Sequence, residues 1–141
     1  MRTFFLFLLL SFKSFYAQEI SQEAYEIYGH SRGGAAAVRI ANVLGDMNIN
    51  VAEVNLFDPV SLGGDFIFTH PNVLRVNNYY QRNSSDLLSK GLLGADNPFL
   101  GSPVKAKFSF PIINQVNYTG ENYRPGVPVS HLNIIRKAYG L

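Results

Sequence analysis

The sequence predicts an α/β fold: a mainly parallel sheet of about four strands with flanking helices. Three patterns lead there. A short strand pattern runs straight into a helix-length segment, and a nearly unbroken apolar run follows, as expected of a strand covered on both faces of a parallel sheet. Further strand-length patterns then precede a closing amphipathic segment, completing the strand, helix, strand order of a layered domain. With 141 residues, 47% apolar and 16% charged, the chain can build one core.

The first 17 residues stand apart from this pattern. Arg2 precedes an apolar run that ends at Phe12, followed by Lys13 and then Ala17, after which the composition turns polar. About ten apolar residues are too few for a helix to cross a bilayer core of roughly 30 Å, so a secretory signal over residues 1–17 is expected, with cleavage near Ala17. The product, residues 18–141, would be secreted or periplasmic, with no stable membrane span.

Within it, residues 24–28 alternate in part and predict a strand ending at Gly29. Residues 33–44 predict a helix, with Gly45 as its C-terminal cap. Residues 51–57 predict a second strand, apolar except at Glu53 and Asn55 and closed by Asp58-Pro59. Residues 72–80 predict a third strand and residues 108–118 a fourth. Residues 84–103 predict an irregular excursion rich in Gly and Pro. Residues 131–139 predict a last helix with Ile134, Ile135 and Ala138 on one side.

Composition removes several functions. Without cysteine there is no thiolate zinc site, no redox pair and no thiol nucleophile. The formal charge of +2 comes entirely from Arg2 and Lys13, leaving the remainder balanced, and no basic stretch interleaves with aromatics, so nucleic acid is not an expected partner. Asp58, Asp65 and His70 are too scattered to read as metal ligands, and no cofactor is implied.

The chemistry-bearing motif is Gly29-His30-Ser31-Arg32-Gly33, a G-x-S-x-G sequence between a predicted strand and a predicted helix. Such a turn is too tight for side chains at its flanks, which predicts close backbone approach at Gly29 and Gly33 and an outward Ser31. The helix N-terminus supplies unpaired N–H groups that favour an oxyanion, with the amide of Arg32 first among them.

A serine hydroxyl needs a base, and the base needs an orienting acid. Asp58 is expected at the same sheet rim as Ser31, because Pro59 ends its strand there. His131 follows a Pro-rich loop and comes after Asp58, so it is the candidate base. The ring of His30 is expected to point away from Ser31, and His70 to face solvent. Phe66, Phe68, Tyr79, Tyr80 and Phe99 read as an apolar acyl pocket or as core.

These residues, with Phe57-Asp58-Pro59-Val60, Asn78-Tyr79-Tyr80-Gln81 and the order Ser, Asp, His, resemble the C-terminal part of an α/β-hydrolase of the lipase and esterase type. The resemblance implies Ser31 as nucleophile, Asp58 as orienting acid, His131 as general base and an ester or lipid substrate. It also implies a partial α/β-hydrolase domain over residues 18–141, truncated before the nucleophile strand. The loop bearing a second oxyanion donor would be missing, at a cost on the order of 2.7–4 kcal/mol in the transition state. The strand holding Ile27 would become an open edge, inviting self-association.

Two other functions share these residues. One is a non-catalytic secreted binding protein on a degenerate hydrolase scaffold, and the other is an acyltransferase that differs only in its acceptor.

Overall fold

A computed structural model describes residues 5–6, 8–13, 22–60, 66–83, 101–109 and 111–141. Its main sheet has six strands: β1 (Phe5–Leu6), β2 (Leu8–Lys13), β3 (Gln22–His30), β4 (Val51–Phe57), β6 (Val73–Tyr80) and β8 (Ile112–Asn117), side by side in that order. From β3 to β8 every pairing is parallel, in the register Ile27↔Val54, Val54↔Val76 and Val76↔Ile113. The expected α/β class and four-stranded parallel sheet are therefore present. β1 and β2 add an antiparallel pair at the β3 side. Two small sheets join β5 (Ile67–Phe68) with β7 (Lys105–Ala106), and β9 (Asn122–Arg124) with β10 (Val127–Pro128).

Helix α1 (Arg32–Asp46) returns the chain from β3 to β4. Its buried face carries Gly34, Ala37, Val38, Ala41 and Gly45, small residues at helical spacing that let the helix lie close on the sheet. Beneath it Ile27, Val54, Leu56, Val73 and Val76 form the main core with Phe66, Phe68 and Val104. Phe66 and Phe68 are thus core residues, and Phe99 lies outside the described residues.

The expected cap at Gly45 is corrected: α1 continues through Gly45 and closes at Asn48. Asn48 takes the positive φ of 56°, its N–H donates to the Gly45 carbonyl, and the Ile49 N–H donates to that of Leu44. Those two bonds satisfy the last carbonyls, and asparagine tolerates this conformation through its short polar side chain. Gly45 is needed for a different reason: a Cβ there would stand 2.5 Å from the Cβ of His70.

Among the described residues the opposite face of the sheet is covered by a short helix. Helix α2 (Ile134–Tyr139) lies over its carboxyl end, where Phe57, Val129 and Ile134 pack with Tyr79, Tyr118, Tyr123 and Ala138. Ile134 and Ala138 face inward, and the Tyr139 ring lies 5.7 Å from that of Phe57; Ile135, expected beside the first two, is exposed. Residues 131–133 form a turn before the helix. Further along this face the cover is polar. Asn77 Nδ2 donates to Asn55 Oδ1 at 2.9 Å, and Asn55 Nδ2 to Glu53 Oε1 at 2.8 Å. This accounts for the two polar residues in an otherwise apolar strand: alternation turns Val54 and Leu56 under α1 and Asn55 to the other side.

Two expectations meet the structure differently. Residues 84–100 of the predicted excursion lie outside the described residues. In the uncleaved chain β2 pairs with the outer edge of β3 from Leu9↔Glu26 through Lys13↔Gln22, and this pairing stops before Ile27, the residue at which an open edge was expected.

Candidate active site

The parallel strands all end at one rim, and the site residues are the first residues beyond them. Ser31 follows β3, Asp58 follows β4 and Gln81 follows β6. Backbone bonds hold the turns together. The Ser31 N–H donates to the Phe57 carbonyl at 3.1 Å, the Val60 N–H to the Ser31 carbonyl at 2.9 Å, and the Asp58 N–H to the Tyr79 carbonyl at 2.7 Å.

Ser31 is strained. Its φ of 57° and ψ of −126° lie outside the basins an L-residue prefers, a conformation costing roughly 1–3 kcal/mol. It stands at the N-cap position of α1, yet its hydroxyl makes no capping hydrogen bond. The ordinary structural use of a serine here, to satisfy a helix N–H, is therefore not the one observed. Arg32 opens the helix with its side chain exposed, and its amide lies among those that have no carbonyl partner within the helix.

Close approach at the turn is real but distributed differently from the expectation. A Cβ at Gly29 would meet the Gly33 carbonyl oxygen at 2.5 Å. At Gly33 it would meet nothing within 4 Å, whereas at Gly34 it would meet the Pro59 Cβ at 2.5 Å. The second obligatory glycine is thus Gly34, pressed against the strand end that carries Asp58.

Asp58 and His131, 73 residues apart, form a buried pair with His131 Nδ1 2.7 Å from Asp58 Oδ2. Both are enclosed, at 0% and 4% exposure. A carboxylate can only accept, so Nδ1–H is the donor, the tautomer that in a neutral ring leaves Nε2 as the acceptor. Gln81, 1% exposed, completes the acid's environment: its N–H donates to Oδ1 at 3.2 Å and its Nε2 to Oδ2 at 3.0 Å. Asp58 itself has a φ of 45°, an uncommon value before proline.

Gln81 was legible only as part of a resemblance, because a glutamine at a strand end belongs to no motif. Its role appears once β6 is known to lie beside β4. Asn83 ties the rim further, donating from Nδ2 to the Val129 carbonyl at 2.7 Å and accepting the Gly120 N–H at 2.8 Å. That anchors the segment leading into His131.

His30, whose ring was expected to point away from Ser31, packs against His131. Its Nε2 is 2.9 Å from the His131 carbonyl oxygen and the two rings are 4.5 Å apart. His70, expected to face solvent, is half-buried at the opposite end of the sheet, with Nδ1 2.9 Å from Thr69 Oγ1 and Nε2 3.1 Å from Asp46 Oδ1. Tyr79 stacks on Phe57, with ring centroids 5.4 Å apart.

Among the described residues no helix is long and apolar enough to cross a membrane, and no group of three His, Asp or Glu is placed to hold a metal ion. No protein-family model, curated protein or solved structure matches the chain.

Proposed function

We propose that the chain is a serine hydrolase of the lipase and esterase type, exported after cleavage near Ala17. The observation that carries this reading is the buried Asp58–His131 pair at the rim where Ser31 sits strained and without a capping role.

In the proposed reaction Ser31 Oγ attacks the ester carbonyl carbon while His131 Nε2 takes the hydroxyl proton. The carbonyl oxygen becomes an oxyanion facing the Arg32 N–H. Collapse expels the alcohol, which leaves with the proton from His131, and water then attacks the acyl-enzyme by the same relay. Asp58, oriented by Gln81, keeps the imidazole in the required tautomer and stabilises its charged form.

Hydrolysis of short-chain chromogenic esters by the purified chain tests the reading. Turnover lost in Ser31→Ala with the fold intact is the expected outcome. Absence of turnover in wild type across acyl lengths refutes it in favour of a non-catalytic binding protein, and equal turnover in Ser31→Ala refutes Ser31 as the nucleophile.

A further inference from the structure

His131 comes from a loop, and a loop-borne base needs something to hold it at a fixed depth over the sheet. Asp58 fixes one atom of the ring, Nδ1. His30 makes two independent contacts with the same residue. Its Nε2 lies 2.9 Å from the main-chain oxygen of His131, and because a carbonyl only accepts, that nitrogen carries the proton and donates. Its ring lies 4.5 Å from the His131 ring at an interplanar angle of 31°, a tilted stack. The residue providing both contacts is the last of β3, one peptide bond before Ser31, and is paired with Phe57 of β4 just before Asp58. Rigid sheet therefore supports the histidine loop at the point where the nucleophile leaves the strand.

We propose that His30 is a positioning residue for His131: its Nε2–H pins the main chain of the loop, and its ring is the shelf on which the imidazole rests. The role is specific to the donor at position 30, so a residue that keeps an N–H at comparable reach restores part of the function. It rests on the hydrolase reading only for its consequence in catalysis; the holding of His131 is a property of the fold.

Two readouts on the full chain test it: the rate of Ser31 labelling by a fluorophosphonate, and the low-field proton resonance of His131 Nδ1–H bonded to Asp58, assigned by its loss in Asp58→Asn. In His30→Ala the labelling rate falls by about ten- to a hundredfold and the low-field resonance broadens or disappears, as expected when a hydrogen bond and a fixed orientation are lost together. His30→Gln, which keeps the donor without the ring, recovers part of both. If His30→Ala does not fold, His30→Phe, which keeps an aromatic shelf without the donor, must show the weakened resonance. Wild-type rate and an unchanged resonance in His30→Ala or His30→Phe overturn the proposal. If wild type takes no label at all, the hydrolase reading fails, and the resonance alone decides whether His30 holds His131.

Discussion

Ser31 and Asp58 are two of the three non-glycine residues with positive φ among those described, and each begins where a parallel strand stops. Backbone strain kept at two adjacent strand ends must be over-determined by surrounding structure, and here the interlocked bonds among Ser31, Phe57, Val60 and Tyr79 do this. In the proposed hydrolase the side-chain bonds set the chemistry. Asp58→Asn preserves shape but presents an amide that favours the wrong tautomer of His131, so ester turnover should fall by about ten-thousand-fold while far-ultraviolet circular dichroism stays unchanged. Gln81→Leu strips one donor from a buried carboxylate and should lower unfolding free energy by about 1–3 kcal/mol in urea titration. The glycines separate cleanly. Gly33→Ala adds a methyl in open space and should leave stability equal or higher by up to about 1 kcal/mol. Gly34→Ala meets Pro59 and should lose about 1–3 kcal/mol. Sequence pattern showed that crowding was due at this turn, but which of two consecutive glycines faces the neighbouring strand depends on helix phase, which only the fold supplies.

At the level of elements, strand β4 was fully legible, because an apolar run closed by Asp-Pro leaves little choice of start or end. Helix α1 was legible in its body and misread at its end. Gly45 resembles a cap in sequence but is a contact point for His70, and Asn48 performs the closure. Asn48→Gly should therefore stabilise the protein by a few tenths of a kcal/mol to about 1, read as a rise in Tm. The hairpin β9–β10 lay concealed in what read as a Pro-rich loop. Its two-residue turn is Pro125-Gly126, where Gly126 at φ 74° supplies the left-handed second position. Strand β2 occupies residues where a signal was expected. Its antiparallel pairing covers Gln22–Glu26 of β3, so a variant starting at residue 18 exposes that edge. Such a variant, which is also the product of the proposed cleavage, should sediment as dimers or larger species at concentrations where the uncleaved chain does not.

Across the whole molecule the two sheet faces differ. One carries an apolar core under α1, while the other carries tyrosines under the short α2 and a polar Asn–Glu ladder beyond it. Burial pushes the Tyr28 phenol up to about 12, with the Glu26 carboxylate it donates to adding to the shift; burial and neighbouring acidic groups raise Tyr118 and Tyr139 as well. A phenol that ionises later in the folded state than in the unfolded one favours folding below the ordinary value of 10.0, and its contribution fades as pH rises through about 12. Stability in urea should accordingly decline over that alkaline interval, in step with the phenolate absorbance. The catalytic reading depends on the arrangement of the entire rim, since Ser31, Asp58 and Gln81 come from three strands and His131 from a loop beyond the fourth. Its most direct measurement is mass-spectrometric mapping of a fluorophosphonate adduct on the full chain. A single adduct on Ser31 is expected, lost in Ser31→Ala and strongly reduced in His131→Ala. An unmodified wild-type protein, or an adduct on another residue, would contradict it.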